Sequence, residues 1–102
     1  MPHAYATPAD LRTHRSEDDL RQLSAPEMNG VDDARLERAL EAATAEIDGW
    51  VSGRYPTPLD PIAHNVVIAC MDIAFYRLQL AHAASPSEDL RKEYEDWRTY
   101  FG

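Results

Sequence analysis

Three prolines within six positions, Pro56, Pro58 and Pro61, constrain the folding of this chain more than any other feature. Each lacks a backbone N–H and pushes the residue before it toward an extended conformation, so no helix crosses the segment. Upstream the pattern is helical. Leu36, Leu40, Ala43, Ile47 and Trp50 recur at spacings of four, three, four and three, which lays one apolar stripe along a helix. That helix must stop near Arg54–Tyr55.

Other punctuation divides the rest. Thr7-Pro8 reads as an N-cap followed by proline at the first helical position, with Asp10 favouring the positive helix end, so a short helix is expected at about residues 8–15. Ser16-Glu17-Asp18-Asp19 starts a second short helix, with Leu20 and Leu23 as its apolar pair, that ends before Pro26. Ser24–Gly30 reads as loop. Asp32 or Asp33 caps a long helix over about 33–54. In it Gly49 and Gly53 share a face suited to a close helix crossing.

Asp60-Pro61 opens a fourth helix over about 61–83, whose centre, Val66–Met71, is apolar all round, as in a helix surrounded by others. Ser85-Pro86-Ser87-Glu88 has the form of a capping box and starts a fifth. Its inward stripe is Leu90, Tyr94, Trp97 and Phe101, with Tyr100 falling off it. The expected fold is one all-α domain over residues 1–102, a small bundle of about five helices with two long antiparallel helices.

Charge and motif content narrow the function. Eighteen acidic residues against ten basic ones give a net charge of −8. Tight DNA binding needs several Lys or Arg on phosphates, so a nucleic-acid reader is disfavoured. The longest apolar run, Val66–Met71, is far too short to span a bilayer, and no signal peptide precedes the first helix signals, which fits assembly in a cytoplasm. Cys70 is the single cysteine and lies in that apolar run, where a small buried hydrophobe is expected rather than a reactive thiol.

His3, His14, His64 and His82 lack metal-ligand spacing, and no phosphate-loop, dinucleotide, zinc-protease or nucleophile-elbow motif is present. No enzyme activity, metal or cofactor is expected. Asp72 stands out because it interrupts the most apolar helix. An unpaired buried carboxylate there would cost several kcal/mol, so a structural ion pair with Arg54 or Arg77 is expected.

Several segments together resemble a known family. Ile47-Asp48 with Trp50, then Arg54-Tyr55 before a proline-flanked Leu59, is similar to the small helical neck proteins of Mu-like phages and prophages. So are Tyr5-Ala6-Thr7-Pro8-Ala9-Asp10-Leu11, the run Ala69–Leu78, and Tyr94-Glu95-Asp96-Trp97, in that order along nearly the whole chain. Trp50 departs mildly from the usual tyrosine. Members run on past the equivalent of Phe101-Gly102, so this is either a short member or one whose tail lies beyond residue 102.

The resemblance implies a head–tail connector, or adaptor, in the virion neck, assembled in the host cytoplasm. It would form a homo-oligomeric ring beneath the portal protein and bridge to the next neck or tail protein. Duplex DNA would pass an acidic lining without tight binding, and no membrane would be involved. Expected subunit or portal contacts are Arg54, Tyr55 and Leu59 in the proline loop, and Tyr94, Trp97, Tyr100 and Phe101 at the C-terminal end. The alternative is an acidic helical interaction module, or a phage-encoded regulator, that binds a single protein partner.

Overall fold

A computed structural model describes residues 4–15, 33–81 and 88–102. Among the described residues there are four α-helices and no strand: α1 (Pro8–His14), α2 (Asp33–Val51), α3 (His64–Ala81) and α4 (Glu88–Phe101). The helix expected from Ser16, and the capping box at Ser85–Ser87, lie outside the described residues.

The local signals act as physical chemistry requires. Thr7 Oγ1 accepts from the Asp10 N–H at 3.1 Å while the Asp10 carboxylate accepts from the Thr7 N–H at 3.0 Å, a reciprocal cap with Pro8 in the first turn. α2 ends at Val51, three residues short of the expected boundary. The Arg54 and Tyr55 N–H groups both turn back to the Val51 carbonyl at 2.9 Å, closing the helix before the prolines begin. α3 begins at His64 rather than Pro61, with the Ala63 carbonyl accepting from Val66 and Val67. Gly102 donates to the Arg98 carbonyl at 2.8 Å beyond α4. A Cβ at residue 102 would come within 2.7 Å of that oxygen, so the close approach suits glycine.

α2 packs chiefly on α3, with α1 and α4 laid against that pair. The predicted stripe is buried: Leu36, Leu40, Ala43 and Ile47 face Ala69, Cys70, Ile73 and Ala74 in one core. Trp50 is only half-buried and Val51 takes the inner place at that end. Fully burying one Leu or Ile contributes roughly 1.5–3 kcal/mol, so this seam carries much of the stability. The close crossing expected at Gly49 and Gly53 is absent, since an added Cβ at either would meet nothing within 4 Å.

α4 leans on α3 through Asn65–Tyr100, Asp72–Trp97 and Tyr76–Tyr94, an order that makes these two helices run in opposite directions. No helix among the described residues is long and apolar enough to cross a membrane.

Candidate functional site

Two regions distant in sequence meet at one end of the bundle. The proline loop leaves the end of α2 and returns to the start of α3, and the last turn of α4 packs beside it. Between them lies a groove of about 590 Å³. Pro56, Pro58 and Leu59 of the loop, Tyr100 and Phe101 of the last turn, and the buried Val51 and Val66 all line it. Of the contact residues expected from the sequence, Arg54, Tyr55, Leu59, Tyr100 and Phe101 all line it, whereas Tyr94 and Trp97 do not.

The aromatics divide into two roles. Phe101 is buried, stacked on Trp50 at 6.3 Å and on Trp97 at 5.9 Å between ring centroids, so it braces the wall from inside. Tyr94 and Trp97 are half-buried: Tyr94 stacks on Tyr76 at 4.6 Å and its hydroxyl donates to Glu46. Tyr100 and Tyr55 are the outward pair, 63% and 57% exposed. Tyr100 is nevertheless held in place. Its hydroxyl accepts from Asn65 Nδ2 at 2.6 Å and its ring meets Phe101 edge-on at 5.1 Å.

Arg54, proposed from sequence as a partner for Asp72, instead donates to the Phe101 carbonyl and so tethers the loop to the end of α4, where the helix dipole favours a cation. Arg77 is also engaged elsewhere: Nε and Nη2 both lie 3.1 Å from the Glu46 carboxylate, in the two-pronged geometry that guanidinium favours. Asp72 does form an ion pair, but with Arg15 at the end of α1, and it also meets His14 of that helix. Its Oδ1 lies 2.8 Å from His14 Nε2 and 3.2 Å from Arg15, and its Oδ2 accepts from the Trp97 indole at 2.9 Å. Arg15 also reaches Glu93 at 3.2 Å and stacks 4.3 Å above the Phe75 ring. These partners were not legible in advance, because Arg15 approaches α3 only once α1 has docked.

A second missed residue supports the groove from behind. Tyr5 is buried, its N–H donates to Thr44 Oγ1 at 3.0 Å, and its hydroxyl donates to Asp48 while accepting from the Leu59 N–H at 2.8 Å. One phenol thus fixes both α2 and the proline loop. Burial, reinforced by the Asp48 hydrogen bond, pushes its pKa from 10.0 up to about 12. Cys70 is wholly buried, with its sulfur 3.3 Å from Thr44 Oγ1, and burial pushes its thiol pKa up as well.

Comparison with known proteins gives this arrangement a lineage. The profile of the family described as "Bacteriophage Mu, Gp36" matches residues 5–101. The Mu-like prophage FluMu protein gp36 of Haemophilus influenzae is 35% identical over 71 residues, covering 70% of this chain and 48% of that protein. Gene product J of Escherichia phage Mu is 31% identical over 94 residues, covering 90% of this chain and 64% of that protein. The chain therefore spans between about half and just under two thirds of the length of these relatives. With a match that begins at Tyr5, runs through the proline loop and reaches the aromatic end, the chain belongs to the bacteriophage Mu Gp36 family.

Proposed function

We propose that this protein is a structural component of the virion, a head–tail connector that forms a ring beneath the portal and bridges to the next neck or tail protein. The observation that carries this reading is the groove, in which two exposed tyrosines stand on a wall braced from within by Phe101, Arg54 and Tyr5. A partly apolar surface with outward aromatics is what protein–protein contacts draw on. In this reading the domain is a five-helix bundle whose long pair α2 and α3 runs antiparallel, with no catalytic role and no cofactor.

The net charge of −8 makes free copies repel one another, so the ring would form on the portal template rather than in solution. Electron microscopy of the purified chain mixed with portal, and of particles that carry it, tests the proposal. Rings of density beneath the portal are expected. A complex with a single protein in solution and no ring would instead identify a partner-binding regulator.

A further inference from the structure

Taking the groove as the docking site proposed above, we infer that it receives an extended, proline-containing segment of a partner protein with a basic residue beside the prolines. The argument begins with the main chain of the groove. Pro56, Pro58 and Pro61 have no N–H to offer. The N–H of Tyr55 is taken by the Val51 carbonyl at 2.9 Å, that of Leu59 by Tyr5 Oη at 2.8 Å, and that of Val66 by the Ala63 carbonyl at 3.0 Å. A β-strand adding along these positions would find no main-chain donors there, so at these positions polar recognition falls to side chains.

The side-chain donors suit one backbone type. Tyr100 Oη accepts from Asn65, which leaves its own O–H proton to donate, and Tyr55 offers a second exposed phenol. A helical ligand satisfies its own backbone and would leave both hydroxyls idle. A polyproline II strand has no internal hydrogen bonds, presents bare carbonyls, and docks on aromatic-lined grooves with little ordering cost. The volume of about 590 Å³ is ample for several of its side chains.

Charge selects the flank and the source. Asp60 lies exposed in the groove lining and makes no ion pair among the described residues, while Arg54 is held on the Phe101 carbonyl. An arginine or lysine on the ligand would meet Asp60. A second copy of this chain, at −8, is the poorer fit, and a basic partner the better one.

The test is a heteronuclear NMR titration of the full chain with the synthetic peptide acetyl-Pro-Pro-Leu-Pro-Pro-Arg-amide. The same peptide ending in Glu, and a leucine-lysine amphipathic helical peptide, serve as comparisons. Saturable shifts confined to residues 51–66 and 100–101 are expected, and strongest with the Arg peptide. Asp60→Asn should weaken the Arg peptide about fivefold to tenfold while leaving the Glu peptide no weaker, since it removes the repulsion that the Glu meets, and Tyr100→Phe should weaken both about threefold to fivefold. No saturation at millimolar Arg peptide, equal binding of the Glu peptide, or tighter binding of the helical peptide would each overturn the assignment. Because the titration needs no portal, rings without peptide binding count against the ligand alone. Peptide binding without rings counts against the connector role alone.

Discussion

Arg15 and Asp72 stand 57 positions apart in sequence and 3.2 Å apart in space, and their ion pair locks the end of α1 onto the middle of α3. The carboxylate is 12% exposed and serves three donors, His14, Arg15 and the Trp97 indole, so it joins α1, α3 and α4 at one point. Asp72→Ala should cost on the order of 3 kcal/mol, because it strands the indole N–H and leaves Arg15 with only Glu93. Urea unfolding reads this directly, and an unchanged midpoint would remove Asp72 from the framework of the fold.

Tyr5 gives the fold an alkaline limit. Its phenol ionises near pH 10.0 in the unfolded chain and near 12 in the folded one. The folded value lies above the unfolded one, so its contribution is complete below pH about 10 and is lost as pH rises to about 12. Tyr94 is raised too, by burial first and then by its bond to Glu46, and adds in the same direction. Tyr5→Phe should lower neutral-pH stability by about 1–3 kcal/mol, since the Leu59 N–H loses its acceptor. It should also flatten the fall between pH 10 and 12. Identical alkaline slopes for the two proteins would show that Tyr5 is not the titrating group.

Gly49 lies on an exposed face of α2 with open space where a side chain would stand. Its only consequence there is the backbone entropy that it loses on folding. Gly49→Ala should therefore raise stability by about 0.5–1 kcal/mol. Chemical denaturation measures it, and a loss of stability would mean that this face is occupied.

Tyr55→Ala with Tyr100→Ala should retain helical content by circular dichroism yet fail to form rings on portal. Both rings are mostly in water, and the tertiary cost is confined to the edge contacts of Tyr100 and its bond to Asn65. Phe101→Ala should behave differently. It removes a buried brace and should destabilise the fold by about 3–5 kcal/mol. Normal rings from the double variant would move the interface away from the groove.

With one lysine, Lys92, and a net charge of −8, the chain should bind duplex DNA no more tightly than roughly 10⁻⁴ to 10⁻⁶ M at about 150 mM salt. Fluorescence anisotropy decides it. A nanomolar complex would contradict both the charge argument and the proposed neck role.

The sequence by itself located the four described helices, because caps and periodicity are short-range, but not their ends, since α2 stops at Val51 and α3 starts at His64. Thr7, Pro8 and Asp10 close their own turn, and Leu36, Leu40, Ala43 and Ile47 share a face whatever they pack against. Three prolines likewise guarantee a break wherever they occur. Tertiary structure decided which side chains meet. Asp72 plainly needed a cation, yet Arg54 and Arg77 were taken by the Phe101 carbonyl and Glu46, and the partners came from α1. The groove likewise lies where Tyr5 holds Leu59 and Arg54 holds the end of α4, contacts that join distant parts of the chain. Such pairings depend on how helices are oriented across dozens of positions, and local spacing carries no record of that.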